Sequence, residues 1–116
     1  MKRIVAILFC AVVLAGCSRE LQPSDYELWG VDVSKHQKRV DWEVVAEENR
    51  PDFVFLKATE GTLITDPSYA RHAKALDEAG ILWGAYHFFG HRTSGKAQAR
   101  NFIRTAKLKK GNLFPV

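Results

Sequence analysis

Short apolar runs alternate along this chain with segments in which apolar residues recur at helical spacing. Runs of aliphatic and aromatic residues that end at polar or helix-breaking residues are typical of buried strands. Three such runs predict strands, at residues 28–34, 53–59 and 81–89. A fourth strand is predicted to begin at residues 113–116.

Helices are predicted between these strands. Asp41 is a suitable N-cap for a helix over residues 42–48. The second helix is predicted to start with Asp66 as its N-cap and Pro67 at its first helical position, and Gly80 is predicted to end it. The third helix follows Thr93 or Ser94, and its apolar side is predicted to consist of Ala97, Phe102, Ile103 and Ala106.

The order of these elements predicts the fold class. Strands and helices alternate as β-α-β-α-β-α-β, and the strands are almost continuously apolar, which favours a parallel sheet covered by helices. The element spacing fits the first half of a (β/α) barrel, and a flavodoxin-like open sheet is the alternative. No glycine-rich phosphate loop follows the first strand, which argues against a nucleotide site there.

The first 17 residues differ from the rest of the chain. Lys2 and Arg3 precede an apolar run at residues 4–15, and Leu-Ala-Gly-Cys ends at Cys17, a pattern that resembles a bacterial lipoprotein signal. We therefore predict a signal peptide over residues 1–17, lipid on Cys17, a polar tether over residues 18–27, and a domain over residues 28–116. The alternatives are a short membrane anchor or a buried strand.

Charge and cysteine content restrict the classes of partner. The net charge is +4, from 17 basic and 13 acidic residues, and loss of Lys2 and Arg3 leaves 15 against 13, or +2. Together with a secretory signal, this small charge argues against a nucleic-acid partner. With Cys10 removed and Cys17 acylated, the domain would hold no disulfide, and the four histidines show no metal-ligand spacing.

Polar side chains gather where the predicted strands end. The carboxyl ends of parallel strands are where such sheets bind ligands. The three strand ends carry Asp32 and Ser34, then Lys57, Thr59 and Glu60, then Tyr86, His87 and Phe88. Strand alternation places Val54, Leu56 and Ala58 toward the helices and Asp32 and Lys57 on the other side of the sheet, whereas it does not decide which side Tyr86 faces.

Each of these residues also has a structural interpretation. Asp32 could be the ion-pair partner of Lys57, Tyr86 could serve packing alone, and His87 on an apolar strand is more often a core histidine than an acid or a ligand. His36 and His72 are predicted to lie on the surface.

Six segments, taken in order, resemble the muramidases of glycoside hydrolase family 25. They span residues 29–116 and comprise GVDVSKHQ, FVFLKATEG, residues 66–69 with the helix after them, AGILWGAYHFF, QARNFI and GNLFPV. The resemblance implies a β/α barrel that hydrolyses the bond between N-acetylmuramic acid and N-acetylglucosamine in peptidoglycan.

The resemblance also implies roles for individual residues. Asp32 would be a catalytic carboxylate, and Glu60, Tyr86 and Phe88 would line the sugar-binding groove, with Lys57 facing the same space. No cofactor or metal is expected, and peptidoglycan glycan strands are the expected partner. Together with the signal, this places the protein in the cell envelope, at the outer membrane or facing the periplasm.

The proton donor of the family is the glutamate of an Asp-x-Glu motif, which follows the segment that corresponds to Pro115-Val116. The sequence ends at Val116 and therefore holds no Asp-x-Glu motif at that place. We therefore expect an incomplete catalytic domain without muramidase activity of its own. The alternatives are a lipid-anchored fragment that binds peptidoglycan without cutting it, and a non-functional fragment.

Overall fold

A computed structural model describes residues 20–116, and the predicted signal peptide and Cys17 lie outside the described residues. The fold is mixed α/β. Its strands are β1 (Gly30–Val33), β2 (Phe53–Glu60), β3 (Ile64–Thr65) and β4 (Trp83–Phe88). Its helices are α1 (Trp42–Glu48), α2 (Tyr69–Glu78) and α3 (Gly95–Ala106), with short 3-10 turns at Pro23–Asp25 and Lys35–Gln37.

The sheet is centred on β2, which pairs in parallel with β1 on one side and with β4 on the other. Asp32 lies beside Phe55 in this register, and Lys57 lies beside Tyr86. The sequence did not predict β3, a two-residue strand that pairs antiparallel with the last residues of β2. The three predicted parallel strands therefore form, and a short return strand extends the end at which the polar residues gather.

Residues 113–116 lie beside β4, where a fourth strand was predicted to begin. The Leu113 amide donates to the Trp83 carbonyl at 2.9 Å, and the Val116 amide donates to the Ala85 carbonyl at 3.2 Å. The His87 amide in turn donates to the Val116 carbonyl at 3.0 Å. The predicted segment is thus hydrogen-bonded to the sheet, although it does not form a regular strand.

The core lies between the sheet and the helices. Val54, Leu56 and Ala58, alternate residues of β2, are almost completely buried there, as the strand alternation predicts. They form one cluster with buried residues of the neighbouring elements, among them Val33, Trp42, Leu76, Trp83 and Ala85. Burial of this apolar surface is the main favourable contribution to folding.

The helix starts confirm one predicted cap and correct another. The Asp41 carboxylate accepts a hydrogen bond from the Val44 amide at 3.3 Å and caps α1 as predicted. However, α2 begins at Tyr69 and not at Pro67, and Ser68 occupies its N-cap position. The reason is that the Asp66 carboxylate binds the amide and hydroxyl of Ser68, which fixes a turn ahead of the helix.

The predicted solvent exposure of two side chains is wrong. His72 is 1% exposed, not a surface residue, because the Trp42 indole donates to its Nδ1 at 2.9 Å and holds the ring between α1 and α2. Ile103 was placed on the apolar side of α3 but is 71% exposed, because Gln98 and Asn101 take the buried positions of that helix instead. His36 is exposed as predicted.

Within residues 20–116, none of the helices has both the length and the apolar character that crossing a membrane would require.

Candidate functional site

The side of the sheet opposite the helices, here called the open face, carries Asp32, Phe53, Phe55, Lys57, Tyr86 and Phe88. The sequence left the orientation of β4 undecided, and the structure places Tyr86 and Phe88 on this face. The Lys57 ammonium lies 4.9 Å from the centre of the Phe88 ring. The Asp32 carboxylate is close enough to Tyr86 to act on the pKa of its hydroxyl. Three strand ends therefore contribute side chains to one surface.

Asp32 is exposed on the open face. Within residues 20–116, its carboxylate makes no hydrogen bond or ion pair, so the ion pair with Lys57 that the sequence allowed is not formed. A carboxylate between two valines is costly when it is desolvated without a partner. Here it is tolerated because it opens to solvent, which leaves its charge available.

Lys57 and Glu60 form the ion pair of this face. The Lys57 ammonium is nearly buried and donates to a Glu60 carboxylate oxygen at 2.5 Å. This hydrogen bond, together with the charge of Lys57, lowers the pKa of Glu60. Glu60 is therefore ionised at neutral pH and is poorly suited to donate a proton.

Tyr86 keeps its proton. Partial burial raises the pKa of its hydroxyl, and the negative charges of Asp32 and Asp66 raise it further. Within the described residues the hydroxyl makes no hydrogen bond. It is therefore a free donor close to a carboxylate, which is a suitable arrangement for binding a polar oxygen of a ligand.

Asp66 is a third carboxylate at this end of the sheet, and the sequence assigned it only to a helix cap. It is 3% exposed and accepts hydrogen bonds from the Lys35 amide at 3.0 Å and from the Ser68 hydroxyl at 2.6 Å. Burial alone would raise its pKa, but these bonds and that from the Ser68 amide outweigh burial and lower it. Asp66 thus ties the turn after β1 to the start of α2.

Two glycines make room for aromatic rings on the open face. A Cβ on Gly30 would lie 2.3 Å from the Phe53 ring, and a Cβ on Gly84 would lie 2.8 Å from both Phe55 and Leu113. The rings of Phe53 and Phe55 meet edge to face, with their centres 5.8 Å apart. Side chains at either glycine would displace these rings, so the apolar part of the face depends on close backbone approach.

His87 faces the helices, and its interpretation as a satisfied core histidine is confirmed. Its Nδ1 lies 2.7 Å from the Thr59 hydroxyl, and its Nε2 lies 2.9 Å from the Gln98 side-chain oxygen. That oxygen also accepts from the Gly90 amide, so Nε2 carries the proton and Nδ1 accepts from Thr59. Neither ring nitrogen is left for a ligand.

Gln98 and Asn101, here called the amide pair, were not predicted. Gln98 donates to the Gly90 carbonyl at 2.7 Å and to the Thr93 carbonyl at 3.1 Å, while Asn101 donates to the carbonyls of Gly61 and Ile64. One helical turn of α3 therefore holds the loops that follow β2 and β4. The available signal was two amides on the otherwise apolar side of a predicted helix.

Other features of the described residues lie away from this face. A cavity of about 600 Å³ between α1 and α2 is lined by Trp42 and His72 on the helix side. Among residues 20–116, no group of three or more His, Cys, Asp or Glu side chains is arranged to hold a metal ion. The open face is therefore where exposed charge and aromatic surface coincide.

The chain is similar in sequence to known proteins. Residues 31–116 match the model of glycosyl hydrolases family 25. The uncharacterized protein YegX of Escherichia coli K12 is 41% identical over 97 residues, which cover 80% of this chain and 35% of YegX. Lysozyme M1 of Streptomyces globisporus is 37% identical over 86 residues, which cover 72% of this chain and 29% of the lysozyme.

A solved structure of the same family is similar to this chain in fold. A family 25 glycosyl hydrolase from Bacillus anthracis superposes with a TM-score of 0.76 at 34% identity, over 86% of this chain and 46% of that protein. The chain therefore spans about a third of the length of the curated relatives it matches, 35% of YegX and 29% of the lysozyme, and somewhat under half of this solved structure.

Proposed function

The chain belongs to glycosyl hydrolase family 25, and from this premise we propose that its open face forms part of a site for hydrolysing the glycan strands of peptidoglycan. The observation that carries the proposal is the exposed Asp32 carboxylate, which has no partner among residues 20–116 and lies beside the protonated Tyr86 hydroxyl. We also propose that β1, β2, β4 and residues 113–116 belong to the first half of a barrel. Two observations support this: β1 and β4 both pair in parallel with β2, and the chain covers 46% of the family 25 structure on which it superposes.

Asp32 is the residue we propose for charge stabilisation. Hydrolysis of a glycosidic bond passes through a transition state that resembles an oxocarbenium ion and carries positive charge at the sugar ring. A fixed carboxylate interacts more strongly with that transition state than with the neutral sugar, so it accelerates the reaction. The Tyr86 hydroxyl would then bind a sugar oxygen and orient the ring against Asp32.

The proton donor is not Glu60 or Asp66. Hydrolysis needs a second carboxyl group that is protonated at the working pH, hence one with a raised pKa. Hydrogen bonds lower the pKa of both Glu60 and Asp66. We therefore propose that the 116-residue chain alone releases no muropeptides from purified peptidoglycan. Robust release would show that one of these carboxylates, or another in the chain, does act as the acid.

Glycan binding on the open face can be tested without hydrolysis. Phe88 and its neighbour Phe89 are both more than half exposed, but only Phe88 lies over Lys57. An aromatic contact of this kind is worth about 0.5–1.5 kcal/mol, so Phe88→Ala should weaken the binding of peptidoglycan oligosaccharides by about two- to tenfold. The matched variant Phe89→Ala should bind as the wild type does, in titrations followed by NMR. Equal effects of the two variants would refute the assignment of this groove.

A chimera separates hydrolysis from binding alone. In it, residues 31–116 replace the matching part of Lysozyme M1, and release of muropeptides is measured. We expect the chimera to be active, and Asp32→Asn in it to reduce turnover by about 10²-fold or more while glycan binding persists. A folded chimera that binds glycan but does not cut it would favour the alternative, a peptidoglycan-binding module without catalysis.

We propose a cell-envelope location with lipid on Cys17, because the sequence ending at that residue resembles a lipoprotein signal. Two acyl chains would give stable anchoring, whereas one chain would not. Labelled fatty acid should be incorporated into the wild type and not into Cys17→Ser. Equal incorporation into both would contradict the anchor without affecting the proposed chemistry of Asp32.

A further inference from the structure

Charge is distributed very unevenly along the chain. All 13 acidic residues lie at or before Glu78, and none follows. The charged side chains of residues 79–116 are all basic and all exposed: Arg92, Lys96, Arg100, Arg104, Lys107, Lys109 and Lys110. Within the described residues, the one ion pair of this group is between Lys109 and Asp77, at 3.8 Å. The net charge of +4 therefore hides a strongly basic end of the molecule.

The solvent-exposed side of α3 concentrates this charge. Lys96, Arg100 and Arg104 follow one another at intervals of four residues, and with Ile103 they lie within about 100° of the helix circumference. This set of four residues is here called the basic face. It is exposed to solvent, whereas the amide pair faces the sheet, and its one contact with that pair is the hydrogen bond from Arg104 to Asn101.

Only Arg104 of the basic face stabilises α3, because it lies in the last turn and donates to the Asn101 side-chain oxygen at 3.2 Å. Like charges four residues apart repel each other. Lys96 lies in the first turn, where a cation interacts unfavourably with the helix dipole, and no acidic residue in that turn offsets its charge. By contrast, α2 places Lys74 and Glu78 at the same interval as an ion pair. A row of cations that weakens its own helix is expected where an anionic partner offsets the repulsion.

Ile103 indicates what kind of partner this is. Its side chain is 71% exposed and lies at one edge of the basic face, between Arg100 and Arg104 along the helix axis. A phosphate polymer in water offers no apolar environment to this side chain. The surface of an anionic bilayer offers negative charge and an apolar environment together. Its phosphates attract the cations, and the boundary of the acyl chains accepts an apolar side chain.

We propose that the basic face of α3 docks on an anionic phospholipid bilayer, with Lys96, Arg100 and Arg104 on lipid phosphates and Ile103 at the acyl boundary. This surface is separate from the open face, and the proposal does not depend on glycan hydrolysis. It would hold the domain in a fixed orientation at a membrane, since one helix face contacts the lipid while the open face remains free.

Co-sedimentation with vesicles tests the proposal in the full chain. Vesicles of phosphatidylcholine alone are compared with an equimolar mixture of phosphatidylcholine and phosphatidylglycerol. Each cation near such a surface contributes about fivefold to partitioning, so K96Q/R100Q/R104Q should lower partitioning to the anionic vesicles about 100-fold. The matched variant K35Q/K38Q/R39Q, which removes three exposed cations elsewhere, should partition as the wild type does. High salt should abolish the difference in partitioning between the wild type and K96Q/R100Q/R104Q.

A second readout locates the contact, whatever the apolar run at residues 4–15 does. Ile103→Trp should be quenched by brominated anionic lipid, and the three glutamine substitutions should remove that quenching. Val44→Trp, at an exposed site on α1, should not be quenched. Equal quenching of both tryptophan variants, equal partitioning of the two triple variants, or binding to soluble polyphosphate but not to vesicles would each overturn the proposal.

Discussion

Alternate side chains of β2 face two different environments. Val54, Leu56 and Ala58 are at most 1% exposed and pack against the helices. On the opposite side, Phe55 lies against a glycine of the next strand, and Lys57 pairs with a carboxylate that water can reach. One strand thus supplies both the apolar core and the proposed site, so mutations one position apart should affect different properties.

Neighbouring residues of β4 show the same contrast for polar groups. His87 faces the helices, and both of its ring nitrogens are hydrogen-bonded. Tyr86 faces the other way, and its hydroxyl has no hydrogen bond within the described residues. Buried polar groups must be satisfied internally, whereas a binding surface keeps donors available. The difference between the faces can therefore be tested by measuring stability and ligand binding separately.

The largest effect on stability should come from the helix side. Leu56→Ala removes a side chain that is 1% exposed from the centre of the core, which should cost about 2–5 kcal/mol of unfolding free energy. Urea denaturation followed by circular dichroism measures this. Phe88→Ala, a larger truncation on the open face, should cost far less because the ring is 56% exposed. Similar costs for both would show that the two faces do not divide stability from binding.

The amide pair should show the next largest effect. Gln98→Ala leaves Nε2 of His87 and the Gly90 amide without a partner, and an unsatisfied buried group costs about 1–3 kcal/mol. The Gly90 amide should also exchange its hydrogen faster, which NMR can follow. Arg100→Ala, at an exposed position of the same helix, is the control and should leave this exchange unchanged without lowering the stability. Unchanged exchange in Gln98→Ala would contradict its role in holding the loop after β4.

Acidification should weaken the contact between α1 and α2. Burial lowers the pKa of His72 below its ordinary 6.5, Arg71 lowers it further, and Asp66 partly opposes them. The unfolded chain therefore binds more protons, so the stability is complete above pH 6.5 and falls as the pH drops below it, by at most about 1.4 kcal/mol per pH unit.

His72→Asn provides the check on this pH dependence. Its amide oxygen can still accept from the Trp42 indole, but it does not titrate, so urea denaturation between neutral and mildly acidic pH should lose the slope. His36→Asn, at an exposed histidine, should keep the slope. A slope that persists in His72→Asn would assign the pH dependence to another group.

Asp32→Asn should have the smallest effect on stability. The carboxylate is exposed and makes no hydrogen bond or ion pair within residues 20–116, so the unfolding free energy should change by less than about 0.5 kcal/mol. Thermal melting of wild type and variant measures this. A large loss of stability would instead identify Asp32 as a structural ion-pair partner.

Much of the fold could be predicted from local patterns. The alternation in β2 correctly assigned Val54, Leu56 and Ala58 to the helix side, because only one face of that strand is continuously apolar. Asp41 was correctly identified as the cap of α1, since a cap depends on contacts within a few residues. In both cases the signal lies within a few consecutive residues of the chain.

Parts of the candidate site could not be predicted from the sequence patterns. Lys57 was placed on the correct face, but its partner is Glu60 and not Asp32, because the ammonium reaches along its own strand end instead of across to β1. The amide pair was missed because its acceptors, the carbonyls of Gly61 and Gly90, belong to two separate loops. No pattern within α3 shows where those loops lie.

The sequence by itself determined the three helices, the strands β1, β2 and β4, the buried face of β2 and the set of polar strand ends. The tertiary structure decided which side Tyr86 faces, that His72 is buried and that Ile103 is exposed. The physical reason is that periodicity identifies the apolar side of an element only when one side is clearly apolar. Where both sides are mixed, as in β4 and α3, burial is decided by hydrogen-bond partners that come from other parts of the chain.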